Sequence, residues 1–488
     1  MKRNRTKIVL LLILMLLIGA AAGGYAGIRW SIAKFQEEGI GLVPSDNGTE
    51  GEAEDGNQSA SMAKINQAYK LIQKHYVEKA SDKKLTEGAI QGMLEALKDP
   101  YSTYMDAETM KQFNEQIEAS FEGIGAEVSM QEGKVTIVSP IKGSPAEKAG
   151  LRPKDQILKI DGKSIAGLDL NEAVEKIRGK KGSKVKLEIK RPGAKSAFSK
   201  EITRDEIPLE TVESSMKTVD GKKTGVIKLT SFSETTADDF NKALKKLEKK
   251  GMQGLIIDVR GNPGGLLNSV EDILGNFVPN DKPFVQIEDR KGNKEPHYSD
   301  LKKKKDYPIS VLTDEGSASA SEILAVALKE TGYDTVGTKS FGKGTVQQAV
   351  PLGDGSTIKL TFYKWLSPDG NWIHKKGVKP TIEQKQPKYY YANPVQADKV
   401  LTVDHTSDDI ENLQIMLKGL GFDPGRTDGY FSKETEKAVK AFQKSNGLKI
   451  TGKADKQTTE KIESEVVNHI REGKDDKQLE KALDTLYK

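Results

Sequence analysis

The sequence predicts a multidomain protein of mixed α/β and α+β class. Its 488 residues are too many for one hydrophobic core, since domains usually hold about 100–200 residues. Residues 205–390 alternate strand-like apolar runs with amphipathic helices, which is the order of an α/β domain. The flanking regions follow other patterns: residues 118–204 are β-rich with glycine turns, and residues 408–465 are helical.

Residues 1–29 predict a membrane anchor. An uncharged apolar run from residue 8 to residue 28 is long enough to cross a bilayer core of about 30 Å as a helix. A basic flank precedes it and should stay in the cytoplasm, formed by Lys2, Arg3, Arg5 and Lys7. We therefore expect a single-pass protein of the cell membrane with its remaining domains outside the cytoplasm. A cleaved signal peptide is the alternative, because "GAAAGG" offers small residues to a peptidase.

Two further regions precede the β-rich part of the chain. Residues 30–61 contain an acidic, glycine-rich stretch that is too poor in large apolar residues to fold, so we expect a disordered linker. Residues 62–117 should form a helical cap, because apolar residues recur at helical spacing. The two runs are Ile65, Ala68, Tyr69, Ile72 and Tyr76, and then Ile90, Met93, Leu94 and Leu97. Such a cap is a candidate surface for a homodimer.

The overall composition excludes several classes of protein. The formal net charge is +5, from 76 basic and 71 acidic residues that are spread along the chain. A nucleic-acid partner is not expected, since such proteins concentrate basic residues on one face. The chain has no cysteine, so it has no disulfide, thiolate metal site or cysteine nucleophile. We expect no metal and no other cofactor.

Residues 118–204 resemble a PDZ domain. The specific part is "GSPAEKAGLRPKDQILKIDGKSI", which follows "FEGIGAEV" and precedes a short amphipathic helix. The resemblance implies that Gly123, Ile124 and Gly125 turn their backbone N–H groups toward a peptide carboxylate. The following strand would accept the peptide as an added strand, so we expect protein substrates with free apolar C-termini.

The helix of this domain should line the peptide groove. Leu170, Val174 and Ile177 share one of its faces. Arg178 ends the helix, where a cation can simply complement the helix dipole. The alternative is that Arg178 detects an occupied groove, pairs with a carboxylate and couples tail binding to the active site.

The C-terminal part resembles a small peptidoglycan-binding module over residues 408–465. The matching runs are "LQIMLKGLGF", "DGYFSKETEKAVKAFQKSNGL" and "GKADKQT". A linker at 391–407 precedes the module, and cell-wall peptidoglycan is a candidate partner. Residues 466–488 form a helical tail, for which a solvated helix and a dimer contact are both open.

Three serines mark the start of a buried helix. Residues 315–322 read "EGSASASE" and lie between the strand-like "PISVLT" and the apolar "ILAVALKE". A helix start presents unpaired N–H groups and a positive dipole end, which a developing oxyanion requires. A serine nucleophile needs a base, but the five histidines are scattered and none lies in a recognisable triad signature. They are His75, His297, His374, His405 and His469.

A lysine offers the alternative base in "SFGKGTVQQ", residues 340–348. A desolvated lysine loses its charge readily, because burial disfavours the ammonium form. In a strand, Lys343, Thr345 and Gln347 would share one face, so the Gln347 amide could hold the amine. Ser317 and Ser321 are expected to be caps or packing residues rather than nucleophiles.

Together with "DVRGNPGG" and the embedded PDZ domain, these motifs resemble the carboxyl-terminal processing peptidases, or tail-specific proteases, from about residue 63 to 462. The match is to Bacillus-type members that carry a peptidoglycan-binding module. The resemblance implies Ser319 as nucleophile, Lys343 as general base and Gln347 as its orienter. The spacing of 24 residues between Ser319 and Lys343 is one fewer than is typical of the family, and the difference falls in a loop.

The same resemblance implies an oxyanion hole built from the N–H groups of Ala320 and Gly264. The expected function is that of a membrane-anchored extracytoplasmic serine endopeptidase that recognises protein tails through its PDZ domain, with a role in envelope or sporulation signalling. The alternative is a catalytically silent scaffold that binds protein tails and the cell wall.

Overall fold

The computed structural model describes residues 56–131, 133–395 and 400–488. The predicted membrane anchor lies outside these residues, as does most of the predicted linker at 30–61. Within the described ranges, the helices are too short or too polar to cross a membrane.

The cap is helical, as the apolar spacing predicts. Its elements are α1 (Gly56–His75), α2 (Asp82–Glu95), β1 (Thr103–Met105) and α3 (Ala107–Ile117). Ser81 and Asp106 begin α2 and α3, and each side chain accepts a backbone N–H of the first helical turn. Strand β1 leaves the cap and joins a sheet of the α/β core.

The PDZ domain is a five-stranded antiparallel sheet with a short sixth strand. Its elements are β2 (Ser120–Gly123), β3 (Ala126–Gln131), β4 (Lys134–Pro140), α4 (Pro145–Lys148), β5 (Gln156–Ile160), β6 (Lys163–Ser164), α5 (Leu170–Ile177), β7 (Lys184–Lys190), β8 (Phe198–Thr203) and β9 (Asp205–Pro208). The strand order is β3-β4-β5-β7-β8, so β3 lies at an edge. Strands β2 and β9 form a separate ribbon that closes the domain where the chain enters and leaves it.

The α/β core follows directly. Its elements are β10 (Val212–Val219), β11 (Lys222–Leu229), α6 (Thr236–Lys249), β12 (Gly254–Asp258), α7 (Leu267–Leu274), β13 (Val285–Glu288), β14 (Lys294–His297), β15 (Ile309–Thr313), α8 (Ala320–Glu330), β16 (Asp334–Gly337), β17 (Thr345–Pro351), β18 (Thr357–Leu366), β19 (Ile382–Glu383) and a 3-10 helix (Lys388–Tyr391).

The main sheet has the order β10-β11-β12-β15-β16-β19, and all neighbours are parallel except β10 and β11. Its central strands are buried on both faces, as expected of a parallel sheet. Because β12 and β15 are parallel neighbours, the loops that follow them lie at the same edge of the sheet. The first loop is "RGNPGG" and the second carries the three serines.

A second sheet carries the predicted base. Its order is β1-β18-β13-β14, and β17 pairs with β18. The pairing of β17 shifts register between Val346 and Gln347, which re-aims the side chains. Lys343 precedes β17 instead of belonging to it, so the predicted continuous strand face of Lys343, Thr345 and Gln347 is wrong.

The C-terminal module contains α9 (Asp408–Gly419), α10 (Lys433–Ser445) and α11 (Lys456–Arg471), and α12 (Lys477–Thr485) follows. The first three helices enclose their own apolar core. Helix α11 continues past the predicted boundary at 465.

The last helix, α12, has a role that neither open alternative foresaw. It packs on the main sheet, where Ala482 and Leu486 join Ile256 and Leu312 in one apolar cluster. Along their strands, Ile256 and Leu312 alternate with residues whose side chains lie on the opposite face of the sheet. On that face these side chains pack against α6, α7 and α8. Helix α12 is therefore part of the α/β core rather than a solvated tail.

An ion-pair cluster fixes the same helix beside the loop after β12. Arg260 lies between Asp258 and Asp476, at 2.7 Å from an oxygen of each, and all three side chains are largely buried. Burial raises the pKa of Asp476, but its hydrogen bonds and the charge of Arg260 outweigh this effect and keep the pKa below its ordinary value. A residue from the end of the chain thus contacts the start of "RGNPGG".

Candidate active site

Ser319 lies at a sharp turn between β15 and α8. It is 2 % exposed and adopts φ 54° and ψ −115°, a conformation that side-chain-bearing residues rarely adopt and that costs about 1–3 kcal/mol. The strain is retained because the surrounding loop is held on both sides. Ser319 therefore belongs neither to β15 nor to α8, and it directly precedes the first residue of the helix.

The two flanking serines hold this loop in place. Ser317 Oγ donates to Val259 O, and Ser321 Oγ donates to Asn262 O, each at 2.8 Å. Both side chains are buried. They were expected to be caps or packing residues. Instead they connect the loop between β15 and α8, residues 314–319, here called the serine loop, to the loop after β12.

Glu322 joins the serine loop to the loop between β16 and β17, residues 338–344, here called the lysine loop. Its Oε2 accepts the backbone N–H of Ser319 at 3.0 Å and that of Lys343 at 2.7 Å, so these two nitrogens lie within about 6 Å of each other. Its Oε1 accepts Gly342 N–H at 2.6 Å and Ser340 Oγ at 2.5 Å. One fully buried side chain therefore sets the separation of the two predicted catalytic residues.

The surroundings of Glu322 suit a carboxylate. Burial raises the pKa of Glu322 above its ordinary value, and the hydrogen bonds from Ser340, Lys343, Gly342 and Ser319 offset this effect only in part. All four partners are donors, and an ionised carboxylate can accept all of them, whereas a protonated one would have a hydrogen to place as well.

Lys343 has the environment that a neutral amine needs. The residue is 2 % exposed, and its Nζ has no hydrogen-bond partner within the described parts of the chain. The amine lies 4.8 Å from the centre of the Tyr101 ring. Burial, reinforced by the charge of Lys359, places the pKa of Lys343 well below its ordinary value, against the opposing effects of Asp99 and Glu322.

Gln347 is held by two threonines. Its Nε2 donates to Thr345 Oγ1 and to Thr361 Oγ1, each at 2.9 Å. Its Oε1 is buried and has no hydrogen-bond partner among the described residues. The amide oxygen of Gln347 and the amine of Lys343 are thus both buried without a hydrogen-bond partner among the described residues.

Aromatic side chains hold the backbone at Lys343 and Gly344. Trp365 Nε1 donates to Lys343 O at 2.8 Å, and Trp372 Nε1 donates to Gly344 O at 2.7 Å. His374 stacks on Trp372, and its Nδ1 accepts Gly344 N–H at 3.3 Å. These residues act as a support for the lysine loop, and this histidine uses one ring nitrogen for that support.

The predicted oxyanion hole is only partly formed. Ala320 is the first residue of α8, where a backbone N–H has no intrahelical acceptor. Gly264 lies beside it, since a Cβ on Gly264 would come within 3.0 Å of Ala320 N and 2.7 Å of Ala318 O. The N–H of Gly264, however, donates to Asn262 Oδ1 at 2.8 Å. In this conformation Gly264 is therefore not a free N–H donor, contrary to the prediction.

The predicted peptide-binding loop lies at the start of the PDZ edge strand. Gly123, Ile124 and Gly125 connect β2 to β3. Gly125 has φ 72°, and an added Cβ would overlap Ser144 Cβ at 2.5 Å, so this position requires glycine. The side chain of Ile124 belongs to the domain core, which leaves its backbone for the predicted role.

The groove helix α5 differs in one respect from the prediction. Leu170 and Val174 are partly exposed, as groove residues should be. Ile177 is buried in the core of the domain, so it does not line the groove. Leu170 and Val174 lie at the surface of the domain, where the groove was predicted.

Arg178 connects the PDZ domain to the cap. Its Nη1 lies 2.8 Å from Glu115 Oε2 on α3, and its guanidinium lies 4.9 Å from the centre of the Phe121 ring. A Cβ on Gly123 would come within 3.3 Å of the same ring and 3.8 Å of Arg178 Cγ. Arg178 is therefore beside the predicted carboxylate loop, and it pairs with a cap residue.

The sequence interpretation missed three residues of this site. Glu322 was visible as the last letter of "EGSASASE", where a glutamate three residues after a helix-capping serine is a recognised start signal. Asp99 and Tyr101 had no comparable signal, because they lie in the cap, far from the base in sequence.

Models of four protein families match successive parts of the chain. Family models match "Peptidase family S41" at residues 223–384, "PDZ domain" at 136–191, "Putative peptidoglycan binding domain" at 406–462 and "Activating protease CtpB N-terminal domain" at 16–109. Among solved structures, the photosystem II D1 C-terminal processing protease is similar at 27% identity and a TM-score of 0.41, over 66% of this chain and 92% of that one.

Curated relatives cover nearly the whole sequence. The carboxy-terminal processing protease CtpB of Bacillus subtilis (strain 168) is 55% identical over 99% of both chains. The carboxy-terminal processing protease CtpA of the same organism is 46% identical over 89% of this chain and 93% of its own. None of these matches supports a scaffold without activity. The chain belongs to the carboxy-terminal processing proteases, which are serine-type peptidases of family S41.

Proposed function

We propose that the chain cleaves protein substrates with Ser319 as nucleophile, Lys343 as general base and Gln347 as the residue that orients the base. The observation that carries this proposal is the buried amine of Lys343, which has no hydrogen-bond partner within the described residues and is tied through Glu322 to the backbone of Ser319. A buried lysine without a counter-ion is costly to fold, and general-base catalysis is a reason to keep one.

The proposed chemistry follows from the protonation states. The neutral amine of Lys343 takes the proton of Ser319 Oγ as this oxygen attacks the scissile carbonyl carbon. The resulting ammonium then protonates the leaving amine as the peptide bond breaks and the acyl-enzyme forms. A water molecule, deprotonated by the now neutral lysine, attacks the ester carbon. The ammonium returns this proton to Ser319 Oγ as the ester bond breaks, which releases the acid and restores both residues.

The oxyanion hole supplies a point of control in this proposal. The N–H of Ala320 is the first donor. Gly264 becomes the second donor once its N–H leaves Asn262 Oδ1. The described conformation therefore corresponds to a resting state, in which nucleophile and base are present but the hole is incomplete.

The PDZ domain is proposed to select substrates by their free C-terminus and to report that they are bound. Edge strand β3 can accept a peptide as an added strand, with its carboxylate at Gly123–Gly125. Arg178 lies beside this loop and already binds a carboxylate, that of Glu115. An arriving substrate carboxylate would compete with Glu115 and loosen the contact between PDZ domain and cap.

The remaining proposals concern location and assembly. We propose that residues 1–29 anchor the protein in the membrane, that the C-terminal module holds cell-wall peptidoglycan, and that the chain works outside the cytoplasm in envelope or sporulation signalling. A homodimer through the cap is supported by large apolar side chains that stay exposed on α1 and α2, including Met62, Leu71 and Met93.

Ser319→Ala should abolish cleavage of an unfolded test protein, by about 10³-fold or more, because the nucleophile is lost. Ser214→Ala, which changes an exposed serine of β10, should leave the rate unchanged. Ser319→Gly should be equally inactive but more stable than Ser319→Ala by about 0.5–1 kcal/mol, since glycine accepts a positive φ. Thermal unfolding and a gel-based cleavage assay measure both effects, and cleavage by Ser319→Ala would refute the assignment.

Lys343→Met should remove activity and raise the free energy of unfolding at neutral pH by about 1–3 kcal/mol, because a buried amine without a partner is replaced by an apolar chain. Lys343→Arg should be inactive and less stable, since a guanidinium stays charged. Lys339→Met, at an exposed position of the same loop, is the matched control.

The pH dependence of stability gives an independent check on the same lysine. Burial lowers the pKa of Lys343 in the folded protein, so between that lowered pKa and the unfolded pKa the folded protein holds the amine neutral while the unfolded chain holds it protonated, and folding releases a proton. Wild-type stability should therefore rise with pH toward the unfolded pKa of about 10.4, and Lys343→Met should lose this part of the slope. Wild-type cleavage should also rise with pH through the lowered pKa. Identical slopes for wild type and Lys343→Met would contradict a buried neutral lysine.

Substrates with a C-terminal amide should be cleaved more slowly than the same substrates with a free carboxylate, by about 5- to 150-fold, which is the usual range of coupling between two sites. Arg178→Ala should cleave both forms at the same low rate while keeping its thermal stability. Lys176→Ala, on an exposed face of the same helix, should behave as the wild type. Equal cleavage of both tails by the wild-type protein would exclude a carboxylate-dependent gate.

Sedimentation of residues 62–488 at micromolar concentration should give a dimer, and Leu71→Glu should give a monomer, because a charge on the exposed apolar face of α1 opposes burial. The full chain should sediment with membranes, whereas residues 62–488 should remain in the supernatant. A monomeric wild type, or a full chain that does not sediment with membranes, would contradict the respective proposal.

A further inference from the structure

A chain of hydrogen bonds leaves the proposed active site and ends in the cap. Gln347 Nε2 donates to Thr361 Oγ1 at 2.9 Å, and Thr361 Oγ1 donates to Asp99 Oδ2 at 2.6 Å. Gln347 and Thr361 belong to β17 and β18, whereas Asp99 follows α2. The residue proposed to orient the base is therefore itself held from outside the α/β core.

The direction of these bonds is fixed by Asp99. A carboxylate oxygen only accepts, so the one hydroxyl hydrogen of Thr361 points to Asp99. Thr361 Oγ1 then has only lone pairs to offer Gln347, which must present its amide nitrogen rather than its oxygen. Burial raises the pKa of Asp99, but hydrogen bonds from Ser102, Thr361 and Tyr101 outweigh it and keep the pKa below its ordinary value. Asp99 is thus ionised at neutral pH.

The second hydrogen of the Gln347 amide is also used, because Nε2 donates to Thr345 Oγ1 at 2.9 Å. Only the amide oxygen then remains, and within the described residues Gln347 Oε1 is buried without a partner, as is Lys343 Nζ. An amide oxygen accepts a hydrogen from a lysine amine in either protonation state. An amide nitrogen in the same place would present donors to a group that, as the ammonium, has only donors.

We propose that Asp99 is a positioning residue of the protease, which acts through Thr361 to fix the amide of Gln347 with its oxygen toward Lys343. The inference rests on the proposed function, in which Lys343 is the general base. The cap is on this account a structural part of the active site, and not only a surface for association. Asp99 touches neither substrate nor the reacting atoms.

A second contact places the cap at the same point. The ring of Tyr101, two residues after Asp99, lies 4.8 Å from Lys343 Nζ. Tyr101 also packs edge-on against His374, with ring centres 6.1 Å apart, and His374 supports the lysine loop. One short cap segment therefore contacts the base directly and its orienting residue through Thr361.

The charged groups around Lys343 define the expected change in pH dependence. Asp99 from the cap and Glu322 from α8 favour the ammonium, and Lys359 from β18 favours the neutral amine. His374 also faces the lysine, and burial lowers the pKa of this histidine. Asp99→Asn removes an attractive charge and allows the Gln347 amide to turn. Both changes lower the pKa of Lys343, so the acid limb of the rate profile should move to lower pH.

The test uses the full chain and an unfolded protein substrate with a free C-terminus. Asp99→Asn should lower kcat by about ten- to a hundredfold, as is usual when a residue that orients a catalytic group is lost, and leave KM nearly unchanged. Its acid limb should move down by about half a pH unit or more. Thr361→Val should lower kcat to a similar extent, and the double variant should be no worse than either single variant. Thr361→Ser keeps the hydroxyl and should retain activity.

Asp354→Asn is the matched control, because Asp354 also accepts the hydroxyl of a neighbouring residue, Ser356, but in the exposed turn between β17 and β18. It should leave both kcat and the pH profile unchanged. Circular dichroism and thermal unfolding verify that each variant folds. If Asp99→Asn does not fold, the comparison of Thr361→Val with Thr361→Ser decides the proposal.

Two results would overturn the inference. The first is kcat for Asp99→Asn and Thr361→Val within about threefold of the wild type, which is below the expected loss. The second is a loss of kcat with an unmoved acid limb, which indicates a merely structural role. Lys343→Met in the same assay separates this inference from the proposed function. An active Lys343→Met refutes the lysine as base, whereas an inactive Lys343→Met beside unaffected Asp99 and Thr361 variants refutes only the role of Asp99.

Discussion

The geometry of the site depends on one buried carboxylate, that of Glu322. It lies on the first turn of α8 and accepts hydrogen bonds from the backbone N–H of Ser319 and from three residues of the lysine loop. Desolvating a carboxylate is unfavourable unless its oxygens are well satisfied. Glu322 therefore requires the lysine loop to close over it, and the position of the buried amine follows from that closure.

Around this carboxylate the structure places contributions from three separate parts of the chain. The α/β core supplies Ser319 and Lys343, the proposed nucleophile and base. The cap supplies Asp99 and Tyr101 beside the base, and its helix α3 carries Glu115, which reaches Arg178 of the PDZ domain. The cap thus contacts both the PDZ domain and the surroundings of Lys343. A displacement of the cap at one of these contacts can therefore change the other, without direct contact between the PDZ domain and Lys343.

The sequence was sufficient for the domain types and for features that local patterns encode. The serine turn, the lysine loop and the PDZ glycines are short motifs whose chemistry is legible in a few residues. What could not be predicted depends on long-range closure. Lys343 lies before β17, whose pairing shifts register only later. The Asn262 side chain accepts the N–H of Gly264, and Asp99 accepts the hydroxyl of Thr361, 262 positions away. None of these contacts leaves a periodic signal in the sequence.

The position of α12 has a consequence for the biogenesis of the enzyme. The second face of the main sheet is covered by Ala482 and Leu486, which leave the ribosome long after the sheet itself has been made. Until then Ile256 and Leu312 have no cover, and closing so long a loop is entropically slow. Arg260, at the base of the "RGNPGG" loop, also lacks its partner Asp476 until α12 has been synthesised. A nascent chain therefore carries Ser319, Lys343 and Gln347, the proposed catalytic residues, before its main sheet is covered on both faces.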